Sequence, residues 1–185
     1  MLKELKKSLN PEKSDDMIFD IVLYGSVAKG KTHPEDIDII VIFRKGTLRE
    51  RLQKIQSIKQ KIKLEKKIDI KGILWEELFQ EQFFARSGII LEGISLFDGK
   101  PFSYKIDFDG FMLFIYDLRD KSHTEKVKFN YVLSGRKDVG MVKRLEGKHV
   151  APGVIQIPIK NSVEFEEVLK RHNINYSKQN CLIQR

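Results

Sequence analysis

Two aspartates at the start of an apolar run are the side chains of this sequence with the clearest chemical potential. Asp36 and Asp38 flank one isoleucine, and β-branched and apolar residues continue to Phe43, which predicts a strand. Alternate residues of a strand point to the same side, so the two carboxylates share one face while Ile37 and Ile39 face the core. Two neighbouring carboxylates repel each other unless a divalent cation lies between them. Oxygen ligands of this kind suit Mg²⁺, so the pattern predicts a magnesium site.

A glycine- and lysine-rich turn precedes these aspartates and admits two interpretations. Gly25 to Thr32 satisfies the G-x-x-x-x-G-K-T pattern of a P-loop, with the lysine on the phosphates and the threonine on magnesium. A P-loop needs a helix directly after the threonine, because the N-terminus of that helix holds the phosphates. Pro34 follows two residues later and the strand begins at Asp36, so no room is left for a helix. We therefore interpret Gly25-Ser26 as a phosphate-binding turn of another kind.

A helix and a further strand follow the two aspartates. Thr47 and Glu50 have the spacing of a capping box, and apolar residues at helical spacing predict a helix over residues 48–63. Residues 66–74 then alternate between polar and apolar side chains, which predicts a half-buried strand. Asp69 lies on the polar side of that strand. It is therefore expected on the open face of the predicted sheet.

Each of these residues also has a purely structural interpretation. Asp69 could pair with Lys67 or Lys71, and Gly25-Ser26 could be an ordinary turn with a serine cap. The two earlier aspartates could be solvated acids at the edge of a strand. Their occurrence in this order, on these predicted elements, favours the functional interpretation.

The segment resembles the nucleotidyltransferases of the DNA polymerase β superfamily. In that family Gly-Ser on a strand-to-helix turn is followed by Asp-x-Asp on the next strand, and the minimal members read Gly-Ser-x-Ala-Arg-Gly. Here Gly25-Ser26-Val27-Ala28-Lys29-Gly30 precedes Asp36-Ile37-Asp38. Positions 27–35 separate the two motifs with nine residues where ten is commoner, and Glu35 stands where a serine often precedes the first aspartate. The resemblance covers about residues 15–100.

The resemblance implies a reaction and a set of roles. An acceptor hydroxyl would attack the α-phosphate of a nucleoside triphosphate, with ATP the expected one, and pyrophosphate would leave. Asp36 and Asp38 would bridge two Mg²⁺ ions, and Asp69 would complete the metal site and help to activate the hydroxyl. Gly25 and Ser26 would bind the nucleotide, as the family pattern implies, and Lys29 would add positive charge to the same site.

Composition excludes several other classes of protein. The chain has 185 residues, of which 41% are apolar and 32% charged, with no run long enough to cross a membrane. Its first residues are charged and contain no apolar signal segment, so a cytoplasmic protein is expected. The lone Cys181 excludes a disulfide framework and a cysteine zinc site. The net charge of +8 favours polyanionic partners through phosphate contacts.

The expected fold is α+β in two domains. Residues 1–100 form a polymerase β-like nucleotidyltransferase domain, a mixed sheet with helices on one face, closed by a helix over 75–86 and a strand over 89–99. Residues 101–185 form a smaller α+β domain that matches no family recognised from the sequence, with strands near 111–116, 154–159 and 174–183. Its helices start at Ser122 and near Asn161.

The C-terminal domain contains a second Asp-x-Asp, at Asp107 and Asp109. It has no preceding Gly-Ser turn, and Asp109-Gly110 is typical of a turn that ends a strand, so a structural role is expected. Aromatic and basic side chains of this domain could form a surface for RNA, although core packing explains the aromatic ones more simply. These residues are Phe111, Phe114, Tyr116, Phe129 and Tyr131, with Lys126, Lys128, Arg136, Lys137, Lys143 and Arg144.

We therefore expect a magnesium-dependent nucleotidyltransferase whose C-terminal domain selects or holds the acceptor. RNA is the leading acceptor on charge, a protein hydroxyl is second, and a small molecule such as an aminoglycoside is third. The alternative is a non-catalytic nucleic-acid-binding or antitoxin-like module on the same fold. The sequence contains no motif for the base, the acceptor or the oligomeric state.

Overall fold

The structure, a computed structural model, describes residues 2–28, 36–63, 66–136 and 138–185. The chain divides into two compact units, Met1–Ile106 and Asp107–Arg185. The sequence placed the division after residue 100 instead. The 3₁₀ turn Phe102–Ile106 belongs to the first unit because Phe102, which is fully buried, packs into the core of that unit.

The first unit contains three α-helices and four strands among its described residues. They are α1 Leu2–Leu9, β1 Ile18–Tyr24, β2 Asp36–Phe43, α2 Leu48–Lys61, β3 Lys67–Leu74, α3 Arg86–Glu92 and β4 Ile94–Ser95. The strands form one sheet in the order β3-β2-β1-β4. β2 and β3 are parallel, whereas β1 is antiparallel to both β2 and β4. The sheet is therefore mixed, as the sequence predicts.

Both faces of this sheet are covered. α1 and α2 pack on one face, where Leu9 and Ile58 contact a cluster that includes Ile39 of β2. The expectation of helices on one face is incomplete, because α3 packs on the opposite face through Ile89 against Ile40. Each buried side chain of this size contributes roughly 1.5–3 kcal/mol to folding. The two clusters fix β2 between them, and β2 carries the Asp-x-Asp motif.

The capping box predicted for α2 is present. The Thr47 side chain accepts a hydrogen bond from the Glu50 backbone N–H, and the Thr47 backbone N–H donates to Glu50 Oε2 at 2.7 Å. These bonds satisfy donors that a helix start leaves open. The predicted helix and the predicted strand after it are confirmed, with α2 and β3 each ending or beginning within two residues of the expected positions.

The helix predicted over residues 75–86 is wrong, and of the strand predicted over 89–99 only Ile94–Ser95 is a strand. A 3₁₀ turn covers Glu76–Phe79, and the helix begins only at Arg86. The Trp75 ring packs 4.5 Å from Phe19 and 5.1 Å from Phe79 between ring centroids, contacts that a single 3₁₀ turn supplies. The apolar run after Arg86 is a buried helix, and periodicity alone does not separate a short buried helix from a buried strand.

The second unit is a four-stranded antiparallel sheet with helices packed on one of its faces. Its strands and helices are β5 Phe108–Asp117, α4 His123–Ser134, α5 Met141–Arg144, β6 Lys148–Ala151, β7 Val154–Pro158, α6 Ser162–Arg171 and β8 Asn175–Gln184. The strand order is β6-β7-β5-β8. Phe114 of β5 and Phe165 of α6 are fully buried in the core between sheet and helices.

Most elements predicted for the second unit are present, with two corrections. The Ser122–Glu125 capping box begins α4, and Gly135, at φ 81°, ends it. Asp109-Gly110 is not a strand-ending turn: both residues lie inside β5, and the turn falls at Asp107, which has φ 62°. Asn161 does not cap α6 with its side chain, which donates instead to the Leu145 carbonyl at 2.9 Å.

No helix in the described part of the chain is long and apolar enough to cross a membrane.

Candidate active site

The parallel pairing of β2 and β3 brings two of the predicted carboxylates side by side. Asp38 is the register partner of Asp69, and Asp36 is the partner of Lys67 two residues earlier. The intervening Ile37 and the following Ile39 are fully buried on the other face. Because partners in a sheet have side chains on the same face, Asp36, Asp38 and Asp69 form one carboxylate face, and we use that name for these three residues.

Gly25 follows β1 directly and approaches the carboxylate face closely. Its φ is 74°, a conformation that residues with a side chain rarely adopt. A Cβ atom added at this position would lie 2.2 Å from Asp38 Oδ2. Glycine is therefore required twice, for the turn and for the proximity of the Asp38 carboxylate. Ser26, in the same turn, is partly exposed.

The electrostatics of the carboxylate face are those of crowded negative charge. The pKa of Asp38 is raised, first by partial burial and then by the charges of Asp36 and Asp69. Lys71 opposes this effect and lowers the pKa of Asp38. A divalent cation would relieve the same repulsion, which is the physical expectation for paired carboxylates of this kind.

Two further side chains belong to this face, and the sequence interpretation assigned neither a role in the site. Tyr24, the register partner of Asp38 in β1, has a raised pKa because of burial first, with Asp38 and Asp69 adding to the rise. Lys71 lies two residues after Asp69 on the same side of β3, and its Nζ is 3.3 Å from Asp69 Oδ2. Strand alternation in the sequence is the signal that would place Lys71 on this face, whereas the sequence interpretation gives Lys71 only a structural role as a partner of Asp69.

The donor chemistry of the face fits a hard divalent cation. The three carboxylates lie on neighbouring strands, and their mutual repulsion is recorded in the raised pKa of Asp38. In the described residues, however, no group of three or more His, Cys, Asp or Glu side chains is gathered closely enough to hold a metal ion. Asp69 is instead paired with Lys71. Lys29, the third predicted nucleotide-binding residue, lies outside the described residues.

The second Asp-x-Asp has the surroundings of a structural feature. Asp109 lies within β5, and its Oδ1 is 3.6 Å from Arg185 Nε. The Asp107 carbonyl accepts a hydrogen bond from the Arg185 backbone N–H at 3.1 Å. These contacts join the start of β5 to the residue after β8 at one end of the pair, which gives Asp109 a structural role.

A mixed sheet that presents a glycine turn and an Asp-x-Asp strand together is the architecture of a nucleotidyltransferase-type domain. Residues 3–95 match the family described as polymerase beta, nucleotidyltransferase. This match covers half of the chain, and the protein belongs to the polymerase β nucleotidyltransferase superfamily. Comparison with curated proteins gave no match.

Proposed function

We propose that this protein is a magnesium-dependent nucleotidyltransferase that transfers a nucleoside monophosphate from a triphosphate, with ATP expected, to an acceptor hydroxyl. The observation that carries the proposal is the placement of Gly25 against Asp38, with Asp69 as the register partner of that aspartate. The Gly25 turn and the three carboxylates thus lie at one end of β1, β2 and β3, which supports a role for the turn in binding phosphate. The family membership supports the same class of reaction.

The residues would act as follows. The Gly25 backbone, which has no side chain, lets a triphosphate approach, and Ser26 with the neighbouring amides donates hydrogen bonds to its oxygens. Asp36, Asp38 and Asp69 would hold Mg²⁺, in the two-ion arrangement that the family resemblance implies. The bound ions would supply charge neutralisation and polarisation of the reacting oxygens.

The transfer itself is an in-line displacement at the α-phosphorus. The acceptor hydroxyl forms a new oxygen–phosphorus bond, the bond to the bridging oxygen of the β-phosphate breaks, and pyrophosphate leaves with that electron pair. Asp69, which lies on the edge strand β3, accepts the proton of the hydroxyl. In this scheme Asp36 and Asp38 would hold the Mg²⁺ that contacts the phosphate, and Asp69 serves the acceptor.

RNA is the acceptor that we favour, with a protein hydroxyl second and a small molecule third. Residues 101–185 carry 15 basic and 10 acidic residues, an excess of five positive charges. Phe114 and Phe129 are buried in the core and are not available for stacking, whereas Tyr131 is exposed and the Arg136 guanidinium lies 5.2 Å from its ring centre. An exposed ring with a stacked arginine supports nucleic-acid contact by the second unit.

Radiolabelled triphosphates test the proposal directly. Each of the four ribonucleoside triphosphates, labelled at the α- or the γ-phosphate, is incubated with Mg²⁺ and the protein, with and without total RNA. We expect α-label to enter RNA, or the protein fraction if the acceptor is a protein, and to be lost in Asp38→Asn. Asp109→Asn is the matched control, because Asp109 also belongs to an Asp-x-Asp and should leave transfer unchanged.

The other results of this experiment contradict the proposal in different ways. Release of γ-label alone would indicate triphosphate hydrolysis and would revive the P-loop interpretation. Absence of turnover together with RNA binding that is unchanged in Asp36→Asn would establish the non-catalytic module, which uses the fold without the reaction.

A further inference from the structure

Lys71 has a position that its ion pair with Asp69 does not fully explain. Its Nζ lies 3.3 Å from Asp69 Oδ2, but the Lys71 side chain is 61% exposed and that of Asp69 46% exposed. Pairs this exposed are weak, because water competes for both charges. The Lys71 ammonium can therefore exchange its partner at little cost.

The neighbours of Lys71 connect it to the phosphate-binding turn. Tyr24 is the register partner of Asp38 in β1, and Asp38 is that of Asp69 in β3, so Lys71 lies on the same face of the sheet as Tyr24. Tyr24 is the last residue of β1 and immediately precedes Gly25. Through its contact with Asp69, Lys71 is thus a cation on the face that ends at this turn.

A triphosphate that enters this site meets negative charge on the protein. It carries several negative charges of its own, and Asp38 and Asp69 are register partners on neighbouring strands. An exposed ammonium beside Asp69 can reduce the repulsion between these carboxylates and the triphosphate by contacting a phosphate oxygen. A charge-assisted hydrogen bond of this type is stronger than an exposed ion pair.

We propose that Lys71 is a nucleotide-binding residue that pairs with Asp69 in the nucleotide-free protein and moves to a phosphate oxygen when a nucleoside triphosphate binds. This inference rests on the proposed function, since it assigns a residue to the same site. The exchange leaves the Asp69 carboxylate free for the acceptor hydroxyl. Nucleotide binding would thereby prepare the site for the second substrate.

Binding of non-reactive nucleotides tests this role. α,β-Methylene analogues of the four ribonucleoside triphosphates are titrated with Mg²⁺ into the wild-type protein and into Lys71→Met, Lys71→Arg and Lys67→Met by calorimetry. We expect Lys71→Met to weaken binding about tenfold and Lys71→Arg to restore most of the loss. Lys67 is the matched control, because it lies two residues before Asp69 on the same side of the same strand. Its removal should change the affinity less than about twofold.

A second pair of variants separates direct phosphate contact from an effect through Asp69. If Lys71 contacts phosphate, Lys71→Met weakens binding in an Asp69→Asn background as well. A loss that disappears in that background would mean that Lys71 only positions Asp69, and would overturn the assignment. Equal losses in Lys71→Met and Lys67→Met would indicate diffuse charge and would overturn it too.

The failure of this inference differs from failure of the proposed function. Wild-type protein that binds an analogue, with Lys71→Met binding equally well, overturns the role of Lys71 alone. Wild-type protein that binds none of the four analogues overturns both. Unfolding of Lys71→Met, followed by Trp75 fluorescence, checks that the variant retains the fold of the first unit.

Discussion

Replacement of Asp20 by asparagine should make the first unit more stable at neutral pH and leave it nearly unchanged in acid. Asp20 lies in β1 with no exposed surface. Its Oδ1 accepts hydrogen bonds from the Ile21 N–H at 2.8 Å and from Ser95 Oγ at 3.0 Å. Among the described residues no hydrogen bond reaches Oδ2, and Lys105 Nζ lies 3.7 Å away. Burial outweighs these contacts and raises the pKa of Asp20 to about 6.

The magnitude follows from the two pKa values. In the unfolded chain Asp20 has the ordinary aspartate pKa of 3.8, so the native state keeps the Asp20 proton to a pH about two units higher than the unfolded chain does. At 1.36 kcal/mol per unit, ionisation of Asp20 costs the native state about 3 kcal/mol at pH 7 and above. Because the folded pKa is the higher one, the stability that the protonated Asp20 provides is fully present below the unfolded pKa. It is lost as the pH rises through about 6. Roughly half of the loss falls between about pH 5 and about pH 8.

Urea unfolding followed by Trp75 fluorescence measures this effect in the first unit. Trp75 is the single tryptophan of the chain, and its ring packs against Phe19 within that unit. Between pH 5 and pH 8 the free energy of unfolding should decrease by about 1.5 kcal/mol less in Asp20→Asn than in the wild type. The asparagine keeps a carbonyl for Ile21 and Ser95, so the variant should fold.

Asp98→Asn is the matched control, because it removes a carboxylate that contacts the same lysine but whose pKa is shifted in the opposite direction. Lys105 Nζ lies 2.6 Å from Asp98 Oδ2, and the hydrogen bond from Lys105 lowers the pKa of Asp98. Its contribution is present above the unfolded pKa and disappears in acid, so Asp98→Asn should lower the stability at pH 8. A pH dependence in Asp20→Asn equal to that of the wild type would refute the reasoning.

Three further changes have definite expected results. Gly25→Ala should lower stability by about 1–2 kcal/mol, since φ is 74° there, and should weaken nucleotide binding because its Cβ would meet Asp38; calorimetry and Trp75 fluorescence measure the two effects. Asp38→Asn should raise the melting temperature in the absence of divalent ions, since it removes the charge whose burial, and then whose repulsion by Asp36 and Asp69, raises the pKa of Asp38. The same change should abolish transfer of α-label. Glu166→Gln should destabilise the second unit by up to about 3 kcal/mol at pH 7. Burial raises the pKa of Glu166, but hydrogen bonds led by that of Lys178 outweigh it and lower the pKa to about 2. The stability from these bonds is lost as the pH falls from 4.5 towards 2, and amide hydrogen exchange in β8 measures it.

Local chemistry predicted the elements that carry their own signals. The capping boxes at Thr47 and Ser122 define helix starts through bonds within four residues, and both are present. The alternation of polar and apolar residues around Asp69 also predicts β3 from local pattern, because a strand whose two faces differ in burial has a visible period of two. The pairing of Asp38 with Asp69 could not be predicted from pattern alone. The family resemblance predicts only that Asp69 joins Asp36 and Asp38 in one site; in the structure Asp69 is the register partner of Asp38.

The sequence failed where tertiary contacts decide the structure. Ile89 to Leu91 are all buried, and a fully apolar segment has no face that would reveal its period. The 3₁₀ turn after Trp75 depends on its contact with Phe19, a residue distant in sequence. Lys71 was visible as a partner of Asp69, but its relation to Tyr24 requires the neighbouring strand β1 to be in place.

The way this fold treats its other carboxylates argues for a ligand at the carboxylate face. Asp20 is held by a hydroxyl, a backbone N–H and a nearby lysine, and Glu166 by hydrogen bonds from Lys178, Tyr176 and Lys170. In the described part of the chain, the carboxylate face has one recorded ion pair for its three carboxylates, between Lys71 and Asp69. The charge of Glu166 is thus neutralised by the chain itself, and even the buried Asp20 has a lysine and two hydrogen-bond donors beside it. The carboxylate face has fewer such partners, and a divalent cation would neutralise its remaining negative charge.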